Sequence, residues 1–141
     1  MRVYADSSAL MKRAVDEAES GAIEAVFDQL VADDAAIVAS TLAWVEVSRA
    51  LGTLAARTSL SDEHLADAID VALSGIAERP LTDDVISLAR RVAPPVLRTL
   101  DAIHLATAIV LDVDLVLTYD DRLTDACRRN GLTTSAPGRE V

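Results

Sequence analysis

Apolar and polar positions along the chain switch repeatedly between the short period of strands and the longer period of helices. Val3-Tyr4-Ala5 is a brief apolar run that stops at Asp6. It reads as a strand ending in a carboxylate, followed at once by a helix from about Ser8 to Arg13. After the polar break VDEAESG, residues Ile23, Val26, Phe27, Leu30 and Val31 form the i, i+3, i+4, i+7, i+8 stripe of an amphipathic helix over 22–31. Ala36 to Ala39 has the character of a buried strand. Ser40 and Thr41 are helix-start residues, and a long helix follows over 42–56 with Leu42, Val45, Leu51 and Leu54 apolar. Glu46 lies on or beside that stripe.

The alternation continues. Ser61 opens a helix to about Ile76, and Arg79-Pro80-Leu81 reads as a short extended piece. Thr82-Asp83-Asp84 begins a helix through Arg91. Pro94-Pro95 makes a rigid loop, because neither residue has a backbone N–H. A helix over 100–111 leads to the buried strand Leu115-Val116-Leu117-Thr118. Asp120-Asp121 starts a helix to about Asn130, with Gly131 in the C′ position. Thr133 to Ser135 reads as a last short strand and Pro137 to Val141 as a tail. Strands alternating with helices imply an α/β fold, a parallel sheet covered on both faces. The length of 141 residues fits one domain, 1–141.

Composition narrows the function. The two longest apolar runs, 35–45 and 105–117, are broken by polar residues. Both fall short of the roughly 18 to 20 apolar residues of a spanning helix. The N-terminus has no signal-peptide pattern, so a cytoplasmic location follows as the default expectation. Net charge is -10, with 23 acidic and 13 basic residues, and aromatics make up 3%. Neither a broad basic nucleic-acid surface nor a base-stacking platform is expected. The lone cysteine, Cys127, excludes an internal disulfide and fits a small buried hydrophobe. His64 falls in a charged, exposed helix. His104 shares a helix with Asp101, where it serves as a core residue or a support to the site, with the core the favoured role.

Four acids stand apart from the solvated charges. Asp6 ends the first strand, Glu46 lies in WVEVSRAL, Asp101 opens the helix TLDAIHLATA, and Asp120 follows the strand LVLT. Each has an ordinary alternative. Asp6 and Asp120 are well-placed N-caps, Asp101 complements a helix dipole, and Glu46 is three residues from Arg49. Taken together they form a carboxylate set without matching histidines or cysteines. That is oxygen-rich chemistry, suited to Mg²⁺ or Mn²⁺ rather than Zn²⁺. Acids brought this close repel one another. Divalent cations relieve that repulsion and favour hydrolysis at a phosphodiester.

Asp6-Ser7-Ser8-Ala9-Leu10, Glu46 in WVEVSRAL, LRTLDAIHLATA around Asp101 and LVLTYDDRL around Thr118 and Asp120 together resemble a PIN-domain ribonuclease, and more narrowly a VapC-type toxin of a toxin–antitoxin pair. The resemblance runs along essentially the whole chain. It implies a three-layer α/β/α sandwich with a short parallel sheet of four or five strands. It implies Mg²⁺- or Mn²⁺-dependent endonucleolytic hydrolysis of RNA, with water as nucleophile and 5′-phosphate and 3′-hydroxyl ends. Asp6, Glu46, Asp101 and Asp120 match the family's catalytic, metal-binding acids. Ser8 matches the hydroxyl supporting the first acid, and Thr118 the one near the last. Asp121 either shares the metal or only starts its helix. The resemblance also implies a homodimer, inhibited by a VapB-like antitoxin that binds the operator, so direct DNA binding by this chain is not expected.

Lys12 and Arg13 at the end of the first helix, Arg49 one turn past Glu46, and Arg98 ahead of Asp101 are candidates for RNA phosphate contacts. An exposed solubilising charge is the alternative for each. Two other functions remain open. A phosphatase or receiver domain also places Asp at the end of strand one. However, the first would want Asp-x-Asp where this chain has Asp6-Ser7-Ser8, and the second a late lysine where this chain has only Lys12. A catalytically inactive PIN-like interaction module would keep the fold without cleavage.

Overall fold

The computed structural model describes residues 1–139. Five parallel strands form one sheet: β1 (Arg2–Ala5), β2 (Ala36–Ser40), β3 (Ala77–Arg79), β4 (Leu115–Leu117) and β5 (Thr134–Ser135). Seven helices connect them among the described residues: α1 (Ser7–Met11), α2 (Ser20–Ala32), α3 (Thr41–Thr58), α4 (Asp62–Leu73), α5 (Asp83–Ala89), α6 (Thr99–Val110) and α7 (Asp121–Arg129). The strand order is β3-β2-β1-β4-β5.

Strand periodicity explains the layers. Successive strand side chains point to opposite faces. Val3, Ala5, Ile37, Ala39 and Leu117 pack into one core with Leu10, Ile23, Phe27, Val47 and Ala72 from α1 to α4. The intervening Tyr4, Val38 and Val116 pack into a second core with Leu105, Ala108, Leu123 and Cys127 from α6 and α7. Both faces are therefore covered, which is why the strands read as continuous apolar runs rather than as alternating ones.

Topology positions the site. From β1 the chain steps outward to β2 and β3, then returns to the other side of β1 as β4. The sheet thus reverses direction between β1 and β4, and crevices at the carboxyl ends of such strands are where open α/β sheets bind ligands. Asp6 follows β1 there, and Thr118 and Asp120 follow β4. The Asp6 N–H donates to Leu117 O at 3.2 Å, extending the ladder to the edge.

Most element boundaries fall within a few residues of the sequence reading. The third strand is shifted: it occupies Ala77–Arg79 and ends before Pro80 rather than running through it. Pro80 has no N–H to donate to β2, so the ladder stops. Helix α4 ends at Leu73, short of Ile76, because Ser74 leaves helical geometry and Gly75 takes φ +76. Gly131, with φ +81, follows α7 as expected. The expected tail over 137–141 lies partly outside the described residues.

Candidate active site

Asp6 is both an N-cap and the centre of a hydroxyl lattice. Its Oδ1 accepts the Ala9 N–H at 3.0 Å, capping α1, and the Ser8 hydroxyl at 2.6 Å. Its Oδ2 accepts the Thr118 hydroxyl at 2.6 Å. Ser8 Oγ in turn accepts the Tyr119 N–H at 2.8 Å, and Thr118 Oγ1 the Asp120 N–H at 3.0 Å. Two side-chain hydroxyls thereby latch the end of β1 to the end of β4. Asp6 is 4% exposed. Burial pushes its carboxyl above the ordinary range, against the pull of His104 and of its own hydrogen bonds.

Asp120 caps α7, its Oδ1 accepting from the N–H groups of Arg122 at 2.8 Å and Leu123 at 3.2 Å. Asp101 lies in the first turn of α6 and is half-buried. Its carboxyl is raised by burial and then by the charges of Asp120, Asp6 and Glu46, with His104 opposing. Glu46 extends from the second turn of α3. Burial would raise it, but the hydrogen bond and charge of His104 and the Ser7 hydroxyl outweigh that and hold it below its ordinary value. The four acids thus share one electrostatic environment. Asp121 is exposed and lines an adjoining hollow with Thr118, Thr124, Asp125 and Arg128.

Two readings of single residues change. Glu46 does not take Arg49 as its partner. His104 Nε2 and Ser7 Oγ both lie 2.5 Å from Glu46 Oε1, and Arg49 is exposed. His104 is 3% exposed, as a core residue would be, yet it borders three of the acids rather than only apolar neighbours. The signal was present: His104 follows Asp101 by three residues, so both lie on one helix face. Tyr4 and Ser7, which also support the site, carried no such signal.

Lys12 and Arg13 are corrected more firmly. Helix α1 ends at Met11, and Lys12 turns inward. Its ammonium bonds Glu17 at 2.7 Å and Glu19 at 3.0 Å and lies 4.9 Å from the Tyr119 ring centre. Arg13 donates to Ala72 O at 3.0 Å and Ser74 O at 2.7 Å, closing the end of α4, and stacks 4.4 Å over Phe27. Both are struts within the fold, Lys12 held by two carboxylates and Arg13 by the bare carbonyls at a helix end. Arg98 is exposed at the start of α6, beside Asp101 in sequence. Arg122 and Arg129 line a hollow beside Pro94, Val96 and Leu97, and Arg90 lines another across Leu97. None of these three was singled out from the sequence.

Cys127 is buried in the second core, and burial pushes its thiol up to about 12. No helix among the described residues is long and apolar enough to cross a membrane.

Among the described residues, no three His, Cys, Asp or Glu side chains are drawn together as a metal-holding group. Of the four acids, the oxygens without a hydrogen-bond partner among the described residues are those of Asp101, Oε2 of Glu46 and Oδ2 of Asp120. They are hard donors of the kind Mg²⁺ or Mn²⁺ takes, and the neighbouring acids add to burial in raising the Asp101 carboxyl. The donor set fits a divalent cation.

Comparison with known proteins is consistent with this geometry. The model of the PIN domain family matches residues 3–129. Ribonuclease VapC46 of Mycobacterium tuberculosis is 40% identical over 137 residues, covering 96% of this chain and 97% of that protein. Ribonuclease VapC47 of the same species is 34% identical over 140 residues, with the same coverage of both chains. Among solved structures, VapBC2 from Rickettsia felis, bound to a DNA fragment from its promoter, superposes with a TM-score of 0.74 at 12% identity, covering 96% of this chain and 98% of that one. VapC20 of M. tuberculosis, described as a sarcin-ricin loop cleaving toxin, gives 0.63 at 17% identity, covering 88% and 94%. A parallel sheet with its acids at the β1–β4 reversal, a family model spanning most of the chain and full-length relatives at these identities place this protein in the PIN-domain family, among the VapC-type members.

Proposed function

We propose that the chain is a divalent-metal-dependent endoribonuclease, the toxin component of a toxin–antitoxin pair. The observation that carries this is placement: Asp6 and Asp120 follow the two strands at the sheet's reversal point, and the Asp101 carboxyl is raised by burial and then by the charges of Asp120, Asp6 and Glu46, against the pull of His104. A cation relieves that crowding, and a hydrolase acting on a phosphodiester uses one. Full-length relatives named ribonucleases support the same reading.

Asp6, Glu46, Asp101 and Asp120 are the residues that would hold Mg²⁺ or Mn²⁺. When bound, such an ion supplies positive charge to the scissile phosphate and makes water a better nucleophile. The chain's own groups do the rest. Ser8 and Thr118 fix Asp6, leaving it no freedom to swing. Asp120 is fixed through one oxygen by its cap bonds, which leaves the other for the site. The N-termini of α6 and α7, with their positive dipole ends, adjoin Asp101 and Asp120 and temper the repulsion. Arg98 and Arg122 stand at those same two helix starts, where RNA phosphates would approach. Attack by water rather than by the 2′-hydroxyl leaves 5′-phosphate and 3′-hydroxyl ends.

The partners follow from the family reading. A VapB-like antitoxin inhibits the enzyme and makes the operator contacts, and the toxin is a homodimer in the cytoplasm. The test is cleavage of total cellular RNA by the purified, antitoxin-free chain in Mg²⁺ or Mn²⁺. Discrete fragments with 5′-phosphates are expected, absent with EDTA and with Asp6→Asn. Cyclic 2′,3′-phosphate ends, or cleavage that survives both controls, would sink the mechanism.

A further inference from the structure

His104 is buried, yet both its ring nitrogens are engaged by polar groups. On one side, the Ser40 N–H donates to the Tyr4 hydroxyl at 3.2 Å, and that hydroxyl lies 2.5 Å from Nδ1. The two rings meet edge-on with centres 5.7 Å apart. On the other side, Nε2 lies 2.5 Å from Glu46 Oε1, the oxygen that also accepts the Ser7 hydroxyl at 2.5 Å. A chain of bonds thus runs from the end of β2 through β1 and α6 to a single carboxylate oxygen on α3, with α1 bracing it. An ionised carboxylate only accepts hydrogen bonds, so Nε2 carries a hydrogen toward Glu46. Burial works against charge on the ring, but Glu46, Asp6 and Asp101 outweigh it and raise the imidazole.

We infer that His104 is a positioning residue: together with Ser7 it ties down Glu46 Oε1, so that Oε2 alone is presented to Asp101 and Asp6. A glutamate on a helix has three rotatable bonds and would otherwise sample several rotamers. Tyr4, clamped by the Ser40 N–H, sets the ring plane. One face of α6 therefore supplies an acid of the site at Asp101 and, three residues on, the group that aims a second acid. Groups that orient a metal ligand through a hydrogen bond commonly matter 10- to 100-fold for metal affinity. The inference rests on reading the four acids as a metal site.

The experiment measures Mn²⁺ affinity of the full-length chain by electron paramagnetic resonance, without RNA. The variants are His104→Leu, His104→Gln, Ser7→Ala, Glu46→Ala and the His104→Leu/Glu46→Ala pair. His104→Leu is expected to weaken Mn²⁺ about tenfold. His104→Gln, which keeps an N–H near Nε2, should recover most of that. In the Glu46→Ala background the leucine should cost nothing further, because the group it positions is gone. Ser7→Ala tests the same oxygen without touching the core and should weaken Mn²⁺ less. The ring N–H proton of His104 in nuclear magnetic resonance should shift upfield in Glu46→Ala, a readout free of metal. If wild-type chain binds no Mn²⁺, the metal reading falls and this inference with it. If wild type binds but His104→Leu binds equally well, or its loss is the same with Glu46 absent, only the positioning role falls. An unmoved ring proton in Glu46→Ala overturns it as well, even if His104→Leu fails to fold.

Discussion

The two sides of the acidic site are held by different chemistry. On the β1–β4 side, neutral hydroxyls and backbone N–H groups hold Asp6 and Asp120. On the α3–α6 side, an imidazole holds Glu46. Hydroxyls fix geometry but bring no net charge, so burial leaves the Asp6 carboxyl above its ordinary range. The imidazole brings charge when protonated, and Glu46 falls below its ordinary range although it too is partly buried. Negative charge therefore goes less balanced around Asp6, and around Asp101 at the start of α6, than at Glu46. A cation would gain most beside those two aspartates and depend on Glu46 for aim.

The largest effect that tests this contrast is loss of activity. Asp6→Asn and Asp101→Asn should each lower RNA cleavage roughly a thousandfold, on the scale of losing a principal electrostatic group. Equal loss from Asp121→Asn would erase the distinction between the site and the neighbouring hollow. Metal should also stabilise the folded chain, by about 2.7 kcal/mol at a hundred times the dissociation constant. Thermal unfolding with and without Mn²⁺ should show that gain in wild type and not in Asp101→Asn.

Without metal the sign reverses. The folded state holds the Asp101 proton more tightly than the unfolded chain, whose carboxyl titrates at the ordinary 3.8. As pH rises through the window above 3.8 the unfolded chain loses its proton first, so this group's contribution to stability declines. Urea unfolding in EDTA at pH 4.5 and 7.5 should show a smaller decline for Asp101→Asn than for wild type.

Thr118→Val probes the hydroxyl side. It leaves Asp6 Oδ2 and the Asp120 N–H without their partner, at a cost of about 1–3 kcal/mol in urea unfolding. A smaller effect is expected from Arg98→Ala and Arg122→Ala, each reducing the salt dependence of RNA binding by about one unit of slope. These two belong to the less acidic part of the chain. Residues 1–84 carry 16 acidic and six basic side chains, whereas residues 85–141 carry seven of each. The smallest change is chemical. With its thiol pushed up to about 12, Cys127 should resist alkylation at pH 8 until the protein unfolds.

The sequence by itself made much of this legible. Apolar runs covered on both faces marked the parallel strands, and Asp6, Asp101 and Asp120 stood at strand ends and helix starts, where local pattern and chemistry coincide. Pro80 ended its strand for a reason written in its ring. Tertiary structure alone decided the rest, because it depends on residues far apart in sequence. Thr118 reaches Asp6 across 112 positions and His104 reaches Glu46 across 58, and no local period encodes either distance. The same holds for Lys12 and Arg13, whose charges looked free until the fold supplied carboxylates and helix-end carbonyls to bind them. A sequence fixes which side chains carry charge and which faces are apolar. Which charges stay uncompensated, and so remain available for chemistry, is settled only when the chain closes on itself, since compensation acts over a few ångströms of space and not over residues of chain.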